Sequence, residues 1–372
     1  MEIITQFEND PLLFRDPAFI ISCHDPASLK TCFAAIERSL DRGYFLAGFF
    51  SYEAGYCFEE RLCPATAYDF PLVCLGAYTA PARYPVPRRR DDGVKLKDMR
   101  LNISRERYGA HIRAIRGCIE RGEVYQITYC IKLLFSFLGR ERELYQRLLR
   151  EQPVPYPAFI DTGRYRILSL SPELFIRKSG ECLVTKPMKG TWPRGVDPVS
   201  DIIAGWRLRH DGKNRAENLM ITDLLRNDLG RVGTHVSVPR LFEVAKYATL
   251  HQMTSTVTAR VKKDIPVYDL FAALFPSGSV TGAPKIAAME LIRSLEGEER
   301  RIYTGAIGYI TPERDMIFNV PIRTLLLEEG RGEMGIGGGI VWDSTEQGEW
   351  EEGMVKAEFI LKDVLCRPAS LI

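Results

Sequence analysis

Short β-rich runs recur along the whole chain, and the connections between them are often only a few residues long. The runs RIYTGAIGYI and MIFNVPIRTLLLE, for example, are separated only by TPERD. Antiparallel strands can be joined by such short turns, whereas parallel strands need a crossover of about a dozen residues or more. Strands also outnumber helices in this pattern. The sequence therefore favours an α+β fold with largely antiparallel sheets over a doubly wound parallel fold.

Residues 165–188 contain two more of these runs, YRILSL and ECLVTKPM. The segment between them, SPELFIRKSG, ends in a Ser-Gly turn signal. We therefore expect the two runs to pair as antiparallel neighbours.

Other segments show helical spacing. Ser104 can cap a helix that Gly122 can end, and a further helix is predicted from about Glu349 to Leu365. Residues 213–229 are also helical, with Glu217 on the same stripe as core apolar side chains. A carboxylate among apolar neighbours needs a charged partner, so this helix is a candidate for carrying a functional group.

The composition excludes several classes of protein. Of 372 residues, 50 are basic and 48 acidic, which leaves no charge surplus for nucleic acid or an anionic membrane. The nine cysteines form no C-x-x-C pair, which argues against a zinc site and a disulfide framework. The N-terminus lacks the features of a signal peptide, and no run of about 18 apolar residues occurs. We predict a cytoplasmic protein with no membrane or nucleic-acid partner.

The clearest break in the chain is PARYPVPRRRDDGVKLK at 81–97, which combines three prolines, an arginine run and Asp-Asp-Gly. Such a segment is typical of an exposed connection, and Arg88, Arg89 and Arg90 are better read as a solvated loop than as a nucleic-acid patch. We divide the chain into an N-terminal α+β part at 1–97 and a catalytic region at 98–372. Both are expected to belong to one intertwined structural domain.

The last predicted helix carries Glu349, Glu352 and Lys356 on one side. A solvated face with a Glu-Lys pair would explain these residues on their own, with a gain of a few tenths of a kcal/mol. The companion helix with Glu217 changes the balance, because two helices that offer carboxylates without a His or Cys cluster suit Mg²⁺.

The loop Gly278–Lys285 leads into a helix N-terminus, where free N–H groups favour an anion. It departs from the Walker pattern because Pro284 precedes the lysine and Ile286 follows it. A carboxylate is therefore a more natural guest than a nucleotide phosphate, and a plain Gly-rich turn before a helix remains the structural alternative.

Three further residues have both a structural and a functional interpretation. Lys189 would be a solvated lysine or, if enclosed near Lys186 and Arg194, an amine of lowered pKa and raised nucleophilicity. Glu173 would be an ordinary turn acid or a general acid whose pKa partial burial raises. His251 would be a hydrogen-bonded strand residue or a donor to substrate.

Five segments in this order resemble the chorismate-utilising enzymes, from about Tyr108 to Leu361: KPMKGTWPRG, KNRAENLMITDLLRNDLGRV, SGSVTGAPKI, YTGAIGYI and GGGIVWDSTEQGEWEEGMVKA. Within that superfamily the chain most resembles the aminodeoxychorismate synthases, because Lys189 stands where anthranilate synthases usually have Ala. Gln126 stands where isochorismate and salicylate synthases carry a lysine that activates water. The resemblance implies a single α+β unit with two facing antiparallel sheets and helices outside, and a reaction that aminates chorismate.

The resemblance also implies residue roles. Lys189 would attack the ring at C2 as the C4 hydroxyl leaves, with Glu173 supplying the proton, and ammonia would then add at C4. Mg²⁺ would be held by Glu217 and Glu352, with Glu349 in support. The residues implied for substrate binding are Gly190, Thr191, His251, Ser279, Thr281, Gly282, Tyr303, Arg323, Gly338, Gly339 and Lys356.

The implied product is 4-amino-4-deoxychorismate, in the p-aminobenzoate branch of folate biosynthesis. The chain shows no glutaminase motif, so ammonia is expected from a separate glutamine amidotransferase, and a separate aminodeoxychorismate lyase is expected to act next. Two alternatives stand beside this hypothesis. An anthranilate synthase component I is disfavoured by Lys189, and a catalytically idle chorismate-binding module is disfavoured by the joint presence of Glu173, Lys189, Glu217 and Glu352.

Overall fold

The structure is a computed structural model that describes residues 1–85, 93–247 and 250–361. Two ten-stranded sheets form its framework, and every strand pair assigned in them is antiparallel. The α+β fold with two antiparallel sheets is therefore confirmed. Each cysteine among the described residues has a free thiol, in agreement with the sequence.

We number the strands in chain order and call the two sheets A and B. Sheet A contains β1 (Glu2–Phe7), β2 (Asp10–Phe14), β6 (Ala82–Arg83), β7 (Lys95–Leu101), β8 (Gln126–Leu138), β9 (Tyr156–Asp161), β10 (Arg166–Ser171), β16 (Gly282–Ala283), β19 (Thr324–Glu328) and β20 (Arg331–Ile340). Sheet B contains β3 (Phe19–Cys23), β4 (Phe45–Phe50), β5 (Val73–Tyr78), β11 (Leu174–Ser179), β12 (Cys182–Lys186), β13 (Met188–Pro193), β14 (Thr234–Lys246), β15 (Leu250–Arg260), β17 (Ala306–Ile310) and β18 (Met316–Asn319).

The strand order in sheet A is β16-β8-β20-β19-β10-β9-β1-β2-β6, with β7 also paired to β8. The order in sheet B is β13-β15-β12-β11-β18-β17-β4-β5-β3, with β14 also paired to β15. The helices are α1 (Leu29–Asp41), α2 (Arg105–Glu120), α3 (Glu141–Glu151), α4 (Pro198–His210), α5 (Gly212–Gly230), α6 (Val267–Leu274), α7 (Lys285–Glu296) and α8 (Glu346–Leu361).

The core has three layers because each sheet buries both faces. Phe49 of β4 packs between the sheets with Ile160 of β9, whereas its neighbour Phe50 points the other way and packs against Phe271 of α6. This alternation follows from the two-residue repeat of a strand. Helices α1, α5 and α6 cover the outer face of sheet B, and α2, α3, α7 and α8 cover that of sheet A. The helices therefore lie outside the facing sheets, as expected.

Helix α2 agrees closely with the sequence. The Ser104 side chain accepts a hydrogen bond from the Arg107 N–H at 3.3 Å, as an N-cap does. Helix α8 starts three residues earlier than expected, at Glu346, and its expected end at Leu365 lies outside the described residues. Arg88, Arg89 and Arg90 of the basic run also lie outside the described residues, so their interpretation as a loop stays a prediction.

The expected pairing of YRILSL with ECLVTKPM is wrong. The first run forms β10 in sheet A, and the second forms β12 and the start of β13 in sheet B. The segment between them is not a simple turn, because most of it forms β11, which pairs with β12. The chain thus changes sheets at Ser171–Glu173, and a local turn signal contains no information about which strand comes to lie alongside.

Candidate active site

Lys189 lies on β13, at one edge of sheet B, and its amine reaches towards sheet A. A Cβ placed on Gly339 of β20 would lie 3.1 Å from Lys189 Nζ and 2.4 Å from Gln126 Nε2. The next residue, Gly190, has φ +91, which L side chains rarely adopt, and sits at an irregularity in the β13–β15 pairing. Gly339 therefore allows the Lys189 amine to approach β20, and Gly190 allows the lysine segment to approach Asn214 on the helix at 212–230.

Two helices bring carboxylates to this position. Helix α5 carries Glu217 and helix α8 carries Glu352, and both carboxylates act on the pKa of Lys189. Lys356 Nζ lies 2.7 Å from Glu352 Oε1 and donates to the carbonyl of Gly337 at 2.8 Å. The acidic face of α8 is thus joined directly to the glycine-rich end of β20.

Glu349 lies one turn before Glu352 on the same face. Its carboxylate accepts a hydrogen bond of 2.6 Å from the Ser344 hydroxyl. A Cβ on Gly338 would approach Glu349 Oε2 to 2.9 Å and Lys356 Nζ to 3.7 Å. The structure therefore brings together the three predicted metal carboxylates, Lys189, Lys356 and both of the predicted glycines of β20.

The pKa shifts in this group share one main cause. Burial lowers the pKa of Lys189, and the charge of Lys356 lowers it further, whereas Glu217 opposes the change. Burial likewise raises the pKa of Glu217 and of Glu349. Glu352 is the exception, because its side chain is exposed and the charge of the neighbouring Lys356 lowers its pKa.

The cation that acts on Lys189 differs from the expectation, which named Lys186 and Arg194. Lys356 is the positive charge that lowers the pKa of the Lys189 amine. Arg194 is engaged elsewhere, since its guanidinium binds the Asp201 carboxylate. The lysine is partly buried, and the cation that acts on it belongs to a residue more than 160 positions away in the sequence.

Glu173 is buried, with only 3% of its surface exposed. The Ser279 hydroxyl donates to Glu173 Oε1 at 2.6 Å and lies 2.9 Å from the Ser277 hydroxyl. Burial raises the pKa of Glu173 to about 7, although the Ser279 hydrogen bond and the charge of Lys189 both oppose that rise. A carboxyl of this kind can hold a proton near neutral pH, as a general acid must.

The loop at 278–282, which contains Ser279, is buried. Thr281 donates its hydroxyl hydrogen to the Ser277 carbonyl at 3.1 Å, and Gly282 pairs with Ile127 of β8. The lysine that follows is already engaged by a side chain of the protein, because Lys285 Nζ donates to Asp228 Oδ2 at 2.6 Å. The departure from a nucleotide-binding loop that the sequence indicated agrees with this contact.

His251 lies on β15 and is buried against α4. Its Nε2 is 2.9 Å from Asp201 Oδ1, and Asp201 also binds Arg194 and Lys246. The His251 Nδ1 atom has no hydrogen-bond partner among the described residues. His251 is thus a hydrogen-bonded strand residue at its Nε2 atom. Contact of its Nδ1 atom with substrate stays a prediction.

Three other predicted binding residues are Thr191 on β13, Tyr303 before β17 and Arg323 before β19. Thr191 is exposed on β13. Tyr303 is buried with its ring against Gly335, which leaves no room for a side chain there. Arg323 has φ +50, and burial lowers the pKa of its guanidinium, although Tyr247 opposes that change. Their contacts with substrate stay predictions.

The structure also reveals participants that sequence reasoning missed. Asp201 orients His251 from 50 positions away, and Tyr247 lies close enough to Glu173 and Arg323 to feel both charges. Arg300 is buried next to the loop at 278–282. The only local signal was the capped helix start at Asp197, which gives no hint of contacts across the fold.

The predicted Mg²⁺ site can be tested against these contacts. Glu352 acts to raise the pKa values of both Glu217 and Glu349, so its charge repels both of the other carboxylates. Such a set of oxygen donors suits a hard divalent cation. Among residues 1–85, 93–247 and 250–361, however, no three His, Cys, Asp or Glu side chains already form a metal-binding cluster. The residues fit Mg²⁺ chemically, and the site stays a prediction.

No helix in the described part of the chain is long and apolar enough to cross a membrane.

Comparison with known proteins decides the family. A family profile described as chorismate binding enzyme matches residues 85–362, which is most of the chain. The chain belongs to the chorismate binding enzymes. The resemblance seen in its motifs is thereby confirmed, and the matched region contains every predicted site residue.

The similar proteins in this family have the names of two kinds of synthase. The chain is 42% identical over 308 residues to aminodeoxychorismate synthase component 1 of Klebsiella aerogenes, covering 82% of this chain and 67% of that protein. It is 39% identical over 277 residues to the Escherichia coli protein of the same name, covering 74% and 61%. Anthranilate synthase component 1 of Methanothermobacter thermautotrophicus is 37% identical over 274 residues, covering 73% and 59%. The matches thus span roughly three fifths to two thirds of these relatives.

A solved structure supports the fold independently. Anthranilate synthase component I of Streptococcus pneumoniae superposes with a TM-score of 0.76, covering 96% of this chain and 89% of that one. At 24% sequence identity, this likeness bears on the fold alone.

Proposed function

We propose that this chain aminates chorismate to 4-amino-4-deoxychorismate. The observation that carries the proposal is the pairing of Lys189, whose pKa is lowered, with Glu173, whose pKa is raised to about 7. A neutral amine is a nucleophile and a protonated carboxyl is an acid, so the pair is suited to adding nitrogen while expelling a hydroxyl group. The named relatives point to the same reaction.

In the proposed reaction the neutral Lys189 amine attacks C2 of the ring. The C4–O bond breaks, the double bonds shift, and the proton of Glu173 leaves with the hydroxyl group as water. Ammonia then attacks C4, the double bonds shift back, and the Lys189–C2 bond breaks to regenerate the lysine. The surplus proton of the added ammonia returns to the Glu173 carboxylate, which regenerates the acid. The net change exchanges a hydroxyl for an amino group and releases one water. The enolpyruvyl group stays on the product.

The predicted Mg²⁺ would be held by Glu217 and Glu352, with Glu349 in support. When bound, it would supply an electrostatic clamp for the ring carboxylate of chorismate. Lys356 would hold Glu352 in place through their 2.7 Å ion pair. The Ser344 hydroxyl does the same for Glu349.

Ammonia is expected from a glutamine amidotransferase. The relatives are named component 1, which implies a second component. A separate lyase would convert the product to p-aminobenzoate. We expect the chain to work in the cytoplasm, where chorismate and glutamine are available.

The test is a direct product analysis. Purified protein would be incubated with chorismate, Mg²⁺ and ammonium chloride, and the product identified by mass and by its conversion with aminodeoxychorismate lyase. We expect a product that keeps the enolpyruvyl group and yields p-aminobenzoate with the lyase. Anthranilate with release of pyruvate would support the alternative enzyme, which the 37% identical anthranilate synthase relative keeps in view. Recovery of unchanged chorismate would favour an idle binding module.

A further inference from the structure

Arg300 is a buried cation outside the predicted site, with 4% of its surface exposed. All five of its guanidinium hydrogens have acceptors. One edge binds both oxygens of Glu296, with Nε to Oε2 at 2.8 Å and Nη2 to Oε1 at 2.6 Å. The rest bind the carbonyls of Val280 at 2.9 Å and Thr128 at 2.6 Å, and the Thr304 hydroxyl at 3.2 Å. A fully used guanidinium of this kind is costly to bury unless its partners are held in place.

One of these acceptors, the Val280 carbonyl, belongs to the loop that presents Ser279, and another, the Thr128 carbonyl, belongs to the strand beside that loop. Val280 is the next residue in the loop. Thr128 of β8 grips the same loop from the other side, since its N–H donates to the Thr281 carbonyl at 2.7 Å and its hydroxyl to the Ser279 carbonyl at 3.4 Å. Arg300 therefore binds the loop directly and also binds the strand residue that holds it.

Arg300 is itself held by two residues of the N-terminal part of the chain, one at its guanidinium and one at its backbone. The ring of Tyr52 lies 4.3 Å from the guanidinium carbon, and Glu53 Oε1 accepts the backbone N–H of Arg300 at 2.7 Å. These two residues begin the segment YEAGYCF, which forms a buried turn of 3₁₀ helix. The proposed chemistry gives this N-terminal segment no other task.

We propose that Arg300, braced by Glu296, is a positioning residue that holds the loop at 279–281 so that the Ser279 hydroxyl stays on Glu173. The inference rests on the proposed function, in which Glu173 delivers a proton. Lysine cannot replace the arginine, because a single ammonium group cannot bind Glu296 with two bonds and also reach two separate carbonyls.

This role predicts a measurable effect on protonation. Glu173 is faced by the Ser279 hydroxyl, by the charge of Lys189 on β13 and by Tyr247 next to β14. The Ser279 hydrogen bond opposes the rise in the pKa of Glu173. If the loop is released and this bond is lost, the pKa of Glu173 should rise. The pH above which activity falls should then move upwards.

The experiment compares Arg300→Lys, Ser279→Ala and the double variant. We would measure kcat/KM for chorismate against pH, with ammonium chloride as the nitrogen source. Each single variant should lower kcat/KM by roughly tenfold and shift the alkaline limb to higher pH, as expected for one lost hydrogen bond to a charged group. The kcat/KM of the double variant should be no lower than that of the more impaired single variant, because both changes remove the same contact.

Arg293→Lys is the matched control. Arg293 also donates to a backbone carbonyl, that of Leu62 at 2.8 Å, and also lies over a tyrosine of the N-terminal segment, with its guanidinium carbon 5.5 Å from the Tyr56 ring. Its carbonyl partner lies outside the loop at 279–281, so its alkaline limb should match that of the unmodified protein.

Should Arg300→Lys fail to fold, Glu296→Gln provides the second test, with a smaller shift in the same direction expected. The inference would be overturned if the alkaline limb stayed in place in every variant of Arg300 and Glu296 that folds. Additive losses of kcat/KM in the double variant would also overturn it. Failure of the unmodified protein to form an aminated product would instead overturn the proposed function.

Discussion

At the scale of single residues, Lys189 and Glu173 are both driven towards their neutral forms. Burial lowers the pKa of the amine and raises that of the carboxyl, and each charge partly offsets the effect on the other. Two titratable residues of one site whose pKa values are shifted in opposite directions are typical of the acid and the base of an active site. Because the two groups have different chemical roles, removing either of them should cause a different loss: the nucleophile in the case of Lys189 and the proton donor in the case of Glu173.

Lys189→Ala should abolish aminated product, because the nucleophile is lost. Chorismate binding should persist in the presence of Mg²⁺, since the proposed clamp on the ring carboxylate uses other residues. Product formation would be followed by mass spectrometry and binding by calorimetry. Lys186→Ala, on the preceding strand β12, is the control and should keep its activity. Full activity of Lys189→Ala across ammonium concentrations would remove the covalent step.

Glu352→Gln should weaken Mg²⁺ and chorismate binding together. The change removes a charge that Lys356 holds at 2.7 Å, and we expect at least a tenfold weaker metal affinity, as is typical when a ligand or its support is lost. A calorimetric Mg²⁺ titration with chorismate present would measure it. Glu358→Gln, at an exposed position in the last turn of α8, is the comparison variant. Identical titrations for the two variants would contradict the ligand assignment.

At the scale of elements, α4 links a capped helix start to a buried histidine. Asp197 accepts from the N–H groups of Val199 and Ser200, and the Ser200 hydroxyl accepts from the Asp197 N–H in return. One turn later Asp201 binds His251 on β15. The position of the helix therefore determines how the histidine is held.

Asp197→Ala should lower the free energy of unfolding by about 1 kcal/mol, because it leaves N–H groups of the first turn without an acceptor. Urea unfolding monitored by circular dichroism would measure the change. Asp223→Ala, at an exposed position within α5, should change stability by less than about 0.5 kcal/mol. An equal loss in both variants would show that the capping bonds contribute nothing specific.

At the scale of the whole molecule, the N-terminal residues contribute to both sheets. Strands β1, β2 and β6 complete one end of sheet A next to β9, and β3, β4 and β5 complete one end of sheet B next to β17. The layer between the sheets mixes residues from both parts, as the packing of Phe49 with Ile160 illustrates. We therefore propose that the parts at 1–97 and 98–372 fold as one unit.

A fragment of residues 98–372 should fail to fold on its own, because it would expose the edges of β9 and β17 and half of the inner layer. The full chain should unfold in a single transition that fluorescence and circular dichroism report at the same urea concentration. A soluble fragment with native-like circular dichroism would disprove this interdependence.

The buried Glu53 should make stability depend on pH. Burial raises its pKa to about 8 from an ordinary value of 4.5, so the folded state binds a proton that the unfolded state releases. Its contribution to the free energy of unfolding is complete below about pH 4.5 and is lost as the pH rises through about 8. Glu53→Gln should remove up to about 5 kcal/mol of that pH dependence. Urea unfolding at pH 5 and pH 8 would measure it. The prediction would be refuted if the free energy of unfolding changed by the same amount between these pH values in the variant and in the unmodified protein.

Much of the fold and of the candidate site was predictable from local sequence. Helix α2 follows from its cap and apolar spacing, and the antiparallel class follows from short connections between β-rich runs. The motifs around Lys189, Glu217 and Glu352 identified the family, because the residues that carry the resemblance are close in sequence. Each of these signals depends on a few neighbouring residues, and neighbouring residues determine local conformation.

Other features depend only on how the two sheets stack. The chain's passage from β10 in sheet A to β11 in sheet B, the contact of Asp201 with His251, and the bonds of Arg300 to Val280 and Thr128 join residues that no local pattern connects. The sequence alone determined which side chains are available for chemistry. The tertiary structure decided which of them share a water-poor space, because burial and distance, which shift pKa values and orient hydrogen bonds, exist only once the layers have packed.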